Sequence, residues 1–96
     1  MLQQFNPRNA NIFVHVGGTL MTRDQARVSV FDSSVQGGDA VWEGLRVYRN
    51  GIFCLDRHLH RLEASAHALA FTGIPAKSEI KKAIFETLEA NGMRDE

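Results

Sequence analysis

Between Ala40 and Tyr48 the side chains divide into two unlike sets. Successive residues of a strand point to opposite faces. That puts Val41, Glu43, Leu45 and Val47 on one side and Trp42, Gly44, Arg46 and Tyr48 on the other. The first set is mostly apolar and suits a core. The second joins a large aromatic, a gap, a guanidinium and a phenol, an odd set for packing. The alternation predicts a strand over 40–48. Arg49-Asn50-Gly51 then carries the Asn-Gly hairpin signal, with Ile52 to Leu55 as the returning strand. Upstream, Ile12 to Val16 is a short β-rich run, and Gly17-Gly18 can supply the positive φ of a tight turn into Thr19-Leu20-Met21. The first ten residues, which include Pro7, read as an extended lead-in, and Ala26 to Val30 as a further short strand. Asp32 to Asp39 is a loop rich in turn formers.

Further along, the period changes. Leu59, Leu62, Ala66, Leu69 and Ala70 fall at offsets 0, 3, 7, 10 and 11, which is one helical stripe. Asp56 is placed to cap the helix start, Gly73 to end it, and Pro75 to prevent a quick resumption. Ser78 would cap a second helix whose stripe is Ile80, Ala83, Ile84 and Leu88, stopped by Asn91-Gly92. Strands first and two helices after define an α+β class. The expected architecture is a small antiparallel or mixed sheet of hairpin-connected strands with two helices packed on one face.

Size and charge narrow the function classes. Ninety-six residues make a single domain, 1–96, with little room to enclose a pocket. Hydrophobic residues at 44% and charged residues at 23% exclude a disordered tail. Eleven basic residues balance eleven acidic ones, so no net field draws the chain to nucleic acid or an anionic membrane. Neither a signal peptide nor a membrane-spanning apolar run is visible. The one cysteine, Cys54, cannot form an internal disulfide. A cytoplasmic location is the expectation.

Few residues invite chemistry. Arg61 falls beside the buried stripe of its helix, where a guanidinium can grip a phosphate or carboxylate through two parallel hydrogen bonds. The competing reading is a surface arginine lying along apolar neighbours. Gly44 inside a strand marks either a close approach by a ligand or a bulge, and Trp42 either faces that ligand or packs on a helix. His58, His60 and His67 share a helix but lack the i, i+4 spacing of a zinc site, so no metal is expected. Cys54 reads as a small buried side chain. Gly17-Gly18 and Gly37-Gly38 match no nucleotide fingerprint, and no serine or cysteine suggests a triad.

Taken together, Asp32, the run Gly37-Gly38-Asp39-Ala40-Val41-Trp42-Glu43-Gly44-Leu45-Arg46-Val47-Tyr48 and the helix His58-Leu59-His60-Arg61-Leu62-Glu63-Ala64-Ser65-Ala66 resemble a known pattern. It is that of the N-terminal domain of class IV aminotransferases, pyridoxal-phosphate enzymes that include the branched-chain and D-amino-acid aminotransferases. The likeness runs from about Ile12 to the last residue. Neither half of it is specific alone; the two at this separation are. The resemblance implies that Arg61 binds the cofactor phosphate, that Trp42 lines the substrate pocket, that Gly44 leaves room for substrate and that Arg46 belongs to the same wall. Gly37 stands where branched-chain enzymes usually carry an aromatic, and Trp42 where Phe or Tyr is commoner, so branched-chain specificity is not carried over.

The resemblance also implies something missing. In the family the lysine that bonds the cofactor, the acidic partner of its pyridine nitrogen and most phosphate contacts lie in a second, larger domain. Lys77, Lys81 and Lys82 match no such motif, and no residue of this chain is assigned a catalytic role. The expectation is an N-terminal fragment, inactive alone. Within the intact enzyme it would serve transfer of an amino group between an amino acid and a 2-keto acid, in a homo-oligomer, most simply a dimer. A lyase of the same family, aminodeoxychorismate lyase-like, and a free-standing binding domain are the competing functions.

Overall fold

The computed structural model describes residues 4–93. The predicted lead-in is therefore seen from Gln4 onward, where it includes a 3-10 turn at Pro7–Asn9, and Arg94 to Glu96 lie outside the described residues. Strand β1 (Phe13–Val16) pairs antiparallel with β2 (Thr19–Thr22), Val16 opposite Thr19. Gly17 and Gly18 form the two-residue turn between them at φ 58° and 89°. Two consecutive positive φ values twist a hairpin in the direction its strands already take, and glycine carries them without strain.

A second hairpin joins β3 (Val47–Tyr48) to β4 (Gly51–Ile52) through Arg49 and Asn50. The Phe53 amide donates to the Arg46 carbonyl at 2.9 Å and extends the pairing by one bond. The sheet is thus resolved into two separate two-stranded hairpins. Between them, Asp32 caps a single helical turn, α1 (Ser33–Gln36), accepting from the Ser34 amide at 2.9 Å and its hydroxyl at 2.7 Å.

Three strand boundaries need correction. Of the predicted strand over 40–48, only Val47 and Tyr48 are laddered, and the return stops at Ile52. No described strand flanks 40–45, so its backbone lacks the neighbour that a ladder needs. The side-chain alternation nevertheless survives: Val41, Glu43, Leu45 and Val47 are half-buried, while Trp42, Gly44, Arg46 and Tyr48 are exposed. Ala26 to Val30 is not a strand either, and its Val28 and Val30 are 58% and 67% exposed.

The helices are α2 (Leu55–Ala68) and α3 (Lys77–Ala90). Asp56 does not cap α2. The His58 amide already bonds the Cys54 carbonyl, so the ladder begins earlier, with Cys54 in a left-handed conformation at φ 53°. Asp56 instead sits in the first turn, where a carboxylate favours the helix dipole, and ion-pairs across to Lys81 at 2.6 Å. Ser78 likewise lies inside α3, because the Ala76 carbonyl accepts from both Glu79 and Ile80. Nor does Gly73 end α2. Ala70 takes the left-handed position at φ 58°, with Phe71 bonding back to Ala66 and Ala70 to His67. This is the two-bond helix terminus usually built on glycine. It leaves Leu69, a predicted stripe residue, 47% exposed. Asn91-Gly92 does close α3, Gly92 at φ 62°.

Helix α3 packs on β1. Asn91 joins the two directly: its carboxamide accepts from the Phe13 amide at 2.8 Å and donates to the Phe13 carbonyl at 2.9 Å. Leu59 and Ala66, one face of α2, are the buried hydrophobic residues among those described. Every other apolar residue among those described is half-buried or exposed.

Candidate functional site

The period-two segment turns Glu43 inward, onto the apolar face beside Val41 and Leu45. A carboxylate there must be compensated, because desolvation disfavours an unpaired charge. Helix α2 supplies the compensation. His58 and Arg61 are three residues apart and so share a helix face. Arg61 Nε donates to Glu43 Oε2 at 2.9 Å and Nη2 to Oε1 at 2.7 Å, a two-bond fork. His58 Nδ1 lies 2.6 Å from Oε1. An ionised carboxylate only accepts, so Nδ1 carries the imidazole proton and donates it. The Glu43 side chain is 10% exposed and that of Arg61 68%.

These contacts move the titration of both partners. The hydrogen bond from Arg61, and after it that from His58, pulls the Glu43 carboxyl from 4.5 down to about 2. The same pairing holds Arg61 still further above neutrality. A carboxyl with a depressed folded pKa contributes stability that is complete above its unfolded value and is lost as pH falls through the folded one. The domain should therefore weaken from about pH 4.5 toward pH 2, with Asp32 and Asp56, also lowered, adding to that limb. Glu43→Gln should flatten the acid limb and lower stability at pH 7, read by circular dichroism across pH. An unchanged acid limb would mean that the pairing is not maintained in solution.

Arg61 also lines a shallow hollow of about 340 Å³ with Phe53, Cys54, Arg57 and His58, at the N-terminal end of α2. Two guanidiniums, an imidazole and a helix start make a donor set for an oxyanion such as phosphate. The outward face predicted for 42–48 is present. Trp42 is 82% exposed, and its indole folds over Gly44, where an added Cβ would lie 3.1 Å from the ring. The space beside Gly44 is thus taken by the indole. Tyr48 meets Phe53 edge-on, centroids 6.4 Å apart, which links this face to the hollow. Lys77 approaches His60 at 3.4 Å and Lys81 holds Asp56; neither lysine lines the hollow. Among the described residues no group of three or more His, Cys, Asp or Glu is placed to hold a metal, and no helix is long and apolar enough to cross a membrane.

Sequence reasoning singled out Arg61, which stands in this cluster, but not Glu43, His58 or Arg57 as its neighbours. The signal for Glu43 was present: a single charge on an otherwise apolar face requires a partner, and His58 and Arg61 were spaced to provide one.

The amino-transferase class IV family matches residues 40–95, which include the whole Glu43–His58–Arg61 cluster. The chain belongs to that family. It is 57% identical over 93% of its length to branched-chain-amino-acid aminotransferase-like protein 1 of Arabidopsis thaliana, of which it spans 16%. It is 37% identical over 85% of its length to a putative branched-chain-amino-acid aminotransferase of Methanocaldococcus jannaschii, spanning 28% of that protein. Among solved structures, the branched-chain aminotransferase of the thermophilic archaeon Thermoproteus uzoniensis with norvaline matches 88% of this chain and 30% of its own, with TM-score 0.79 and 34% identity. The chain therefore corresponds to less than a third of each of these proteins.

Proposed function

We propose that the chain is the N-terminal small domain of a pyridoxal-phosphate-dependent aminotransferase, acting in the cytoplasm as a homodimer. In this reading the intact enzyme transfers an amino group between an amino acid, branched-chain by analogy with its relatives, and a 2-keto acid. The observation that carries the reading is the cationic hollow at the start of α2. Its donor set suits the phosphate end of the cofactor, with Arg61 and Arg57 as the charged contacts. Nothing in the hollow suits the aldehyde end, since no lysine lines it. The covalent attachment then belongs to the larger domain. When bound, the cofactor supplies an electron sink for proton transfer at the amino-bearing carbon. This domain's own contribution is binding and shape. Arg61 holds the phosphate, Trp42 presents an apolar wall that excludes water, and Gly44 and Arg46 complete that wall beside the substrate.

The 96-residue chain alone is expected to show no transaminase activity and no imine absorbance that survives dialysis. A stable, stoichiometric band would overturn the fragment reading. In the protein that includes the larger domain, Arg61→Ala should weaken cofactor retention roughly 10- to 100-fold, the value of a hydrogen bond to a charged group. Arg61→Lys should recover only part, because an ammonium cannot hold the two-bond fork to Glu43 and still present a fixed donor to the phosphate. Retention equal to wild type would remove Arg61 from the site. Release of ammonia or pyruvate without an amino acceptor would point to a lyase.

A further inference from the structure

We propose that Glu43 is the positioning residue of the phosphate site, an inference that rests on the reading of Arg61 given above. Arginine side chains on helix surfaces are long and carry substantial rotamer entropy, which binding must otherwise remove. Here the freedom is already gone. Glu43 occupies Nε and Nη2 of Arg61 through both of its oxygens. It thereby fixes the plane of the guanidinium and leaves Nη1 as the edge outside the fork, on a side chain that lines the hollow and stays 68% exposed. His58 buttresses the same carboxylate at 2.6 Å, and Glu43 in turn sets which ring nitrogen of His58 carries the proton. The carboxylate is 10% exposed and lies on the apolar face of its segment, turned toward α2. It has no route to a ligand of its own. Its effect on the ligand passes through Arg61, as a preformed site gains affinity by having its ordering cost removed beforehand.

The test uses the full-length protein with Glu43→Gln, Glu43→Asp, Arg61→Ala and the Glu43→Gln/Arg61→Ala pair. Pyridoxal phosphate and pyridoxal, which lacks the phosphate, are titrated into each apo-protein, and melting of the apo forms is recorded in parallel. Glu43→Gln should lower affinity for pyridoxal phosphate about tenfold while leaving pyridoxal within about twofold, and the pair should bind like Arg61→Ala alone. Glu43→Asp keeps the charge on a shorter arm and should restore part of the loss; it also serves if the glutamine variant does not fold. In the apo-protein, the Nε–Hε resonance of Arg61 should be protected from exchange in wild type and lose that protection in Glu43→Gln. Equal losses for both ligands would reduce Glu43 to a structural residue and overturn the proposal. So would unchanged phosphate discrimination in Glu43→Gln when Arg61→Ala abolishes it. If Arg61→Ala itself binds pyridoxal phosphate normally, the phosphate reading fails and this proposal fails with it.

Discussion

Leu59→Ala is expected to remove most of the domain's stability at room temperature. Leu59 is 2% exposed, and the other buried hydrophobic residue among those described is Ala66, two turns on in the same helix. Truncating a buried leucine removes its transfer free energy and leaves a cavity, together about 2–5 kcal/mol. Domains carry about 0.05–0.15 kcal/mol per residue of net stability, and one with so little enclosed side-chain volume belongs near the bottom of that range. The loss then approaches the whole margin. Leu69→Ala provides the contrast: at 47% exposure beyond the end of α2 it should cost less than about 1 kcal/mol. Urea unfolding followed by circular dichroism compares them. If Leu59→Ala melts like Leu69→Ala, α2 does not supply the core.

The second large effect concerns association. Trp42 and Phe31 are 82% and 81% exposed, and Val28, Val30 and Phe53 each exceed half. Such residues are unremarkable singly, but many on a small surface favour contact with another molecule. Eleven charges of each sign leave no long-range repulsion to keep copies apart. The isolated chain should therefore sediment as a dimer or larger at micromolar concentration, with weight rising as concentration rises. The single tryptophan is a clean reporter. Its emission should move to shorter wavelength as the indole leaves water, and Trp42→Ser with Phe31→Ser should shift the equilibrium toward monomer. A wild type that stays monomeric with a solvated indole at every concentration would show that these side chains do not form one adhesive face.

What the sequence revealed and what it hid divide along physical lines. Periodicity is local, so the two turns, the α2 stripe and the two-faced character of 41–48 were legible. Even where the ladder is missing, Glu43 and Trp42 point to the sides that alternation assigned them. Pairing is not local. Whether a period-two segment becomes a strand depends on a neighbouring backbone, and neither 26–30 nor 40–45 has a paired strand among the described residues. Capping failed for a related reason. Asp56 and Ser78 are good caps by type, but backbone hydrogen bonds to the Cys54 and Ala76 carbonyls start each helix two residues earlier. Ala70 in the place expected of a glycine shows that the two terminal hydrogen bonds of α2 outweigh the strain of a left-handed alanine. At the site, the resemblance to class IV aminotransferases singled out Arg61. Its anchor, Glu43, stood out in the sequence as a lone charge on an apolar face, but which residue answers it depends on the third dimension, which brings 18 residues of separation down to a hydrogen bond.

The Asn91 carboxamide, by donating and accepting at Phe13, mimics one rung of a strand and so occupies part of the free edge of β1. Unpaired strand edges are templates on which other chains add themselves. That makes this amide a guard against runaway edge-to-edge growth, posted where residues 78 apart meet. It is also a late guard, because a contact so distant in sequence closes only after most of the chain has compacted. During synthesis or refolding the edge stays open until then, and that interval, rather than the finished fold, is when the domain is most exposed to aggregation.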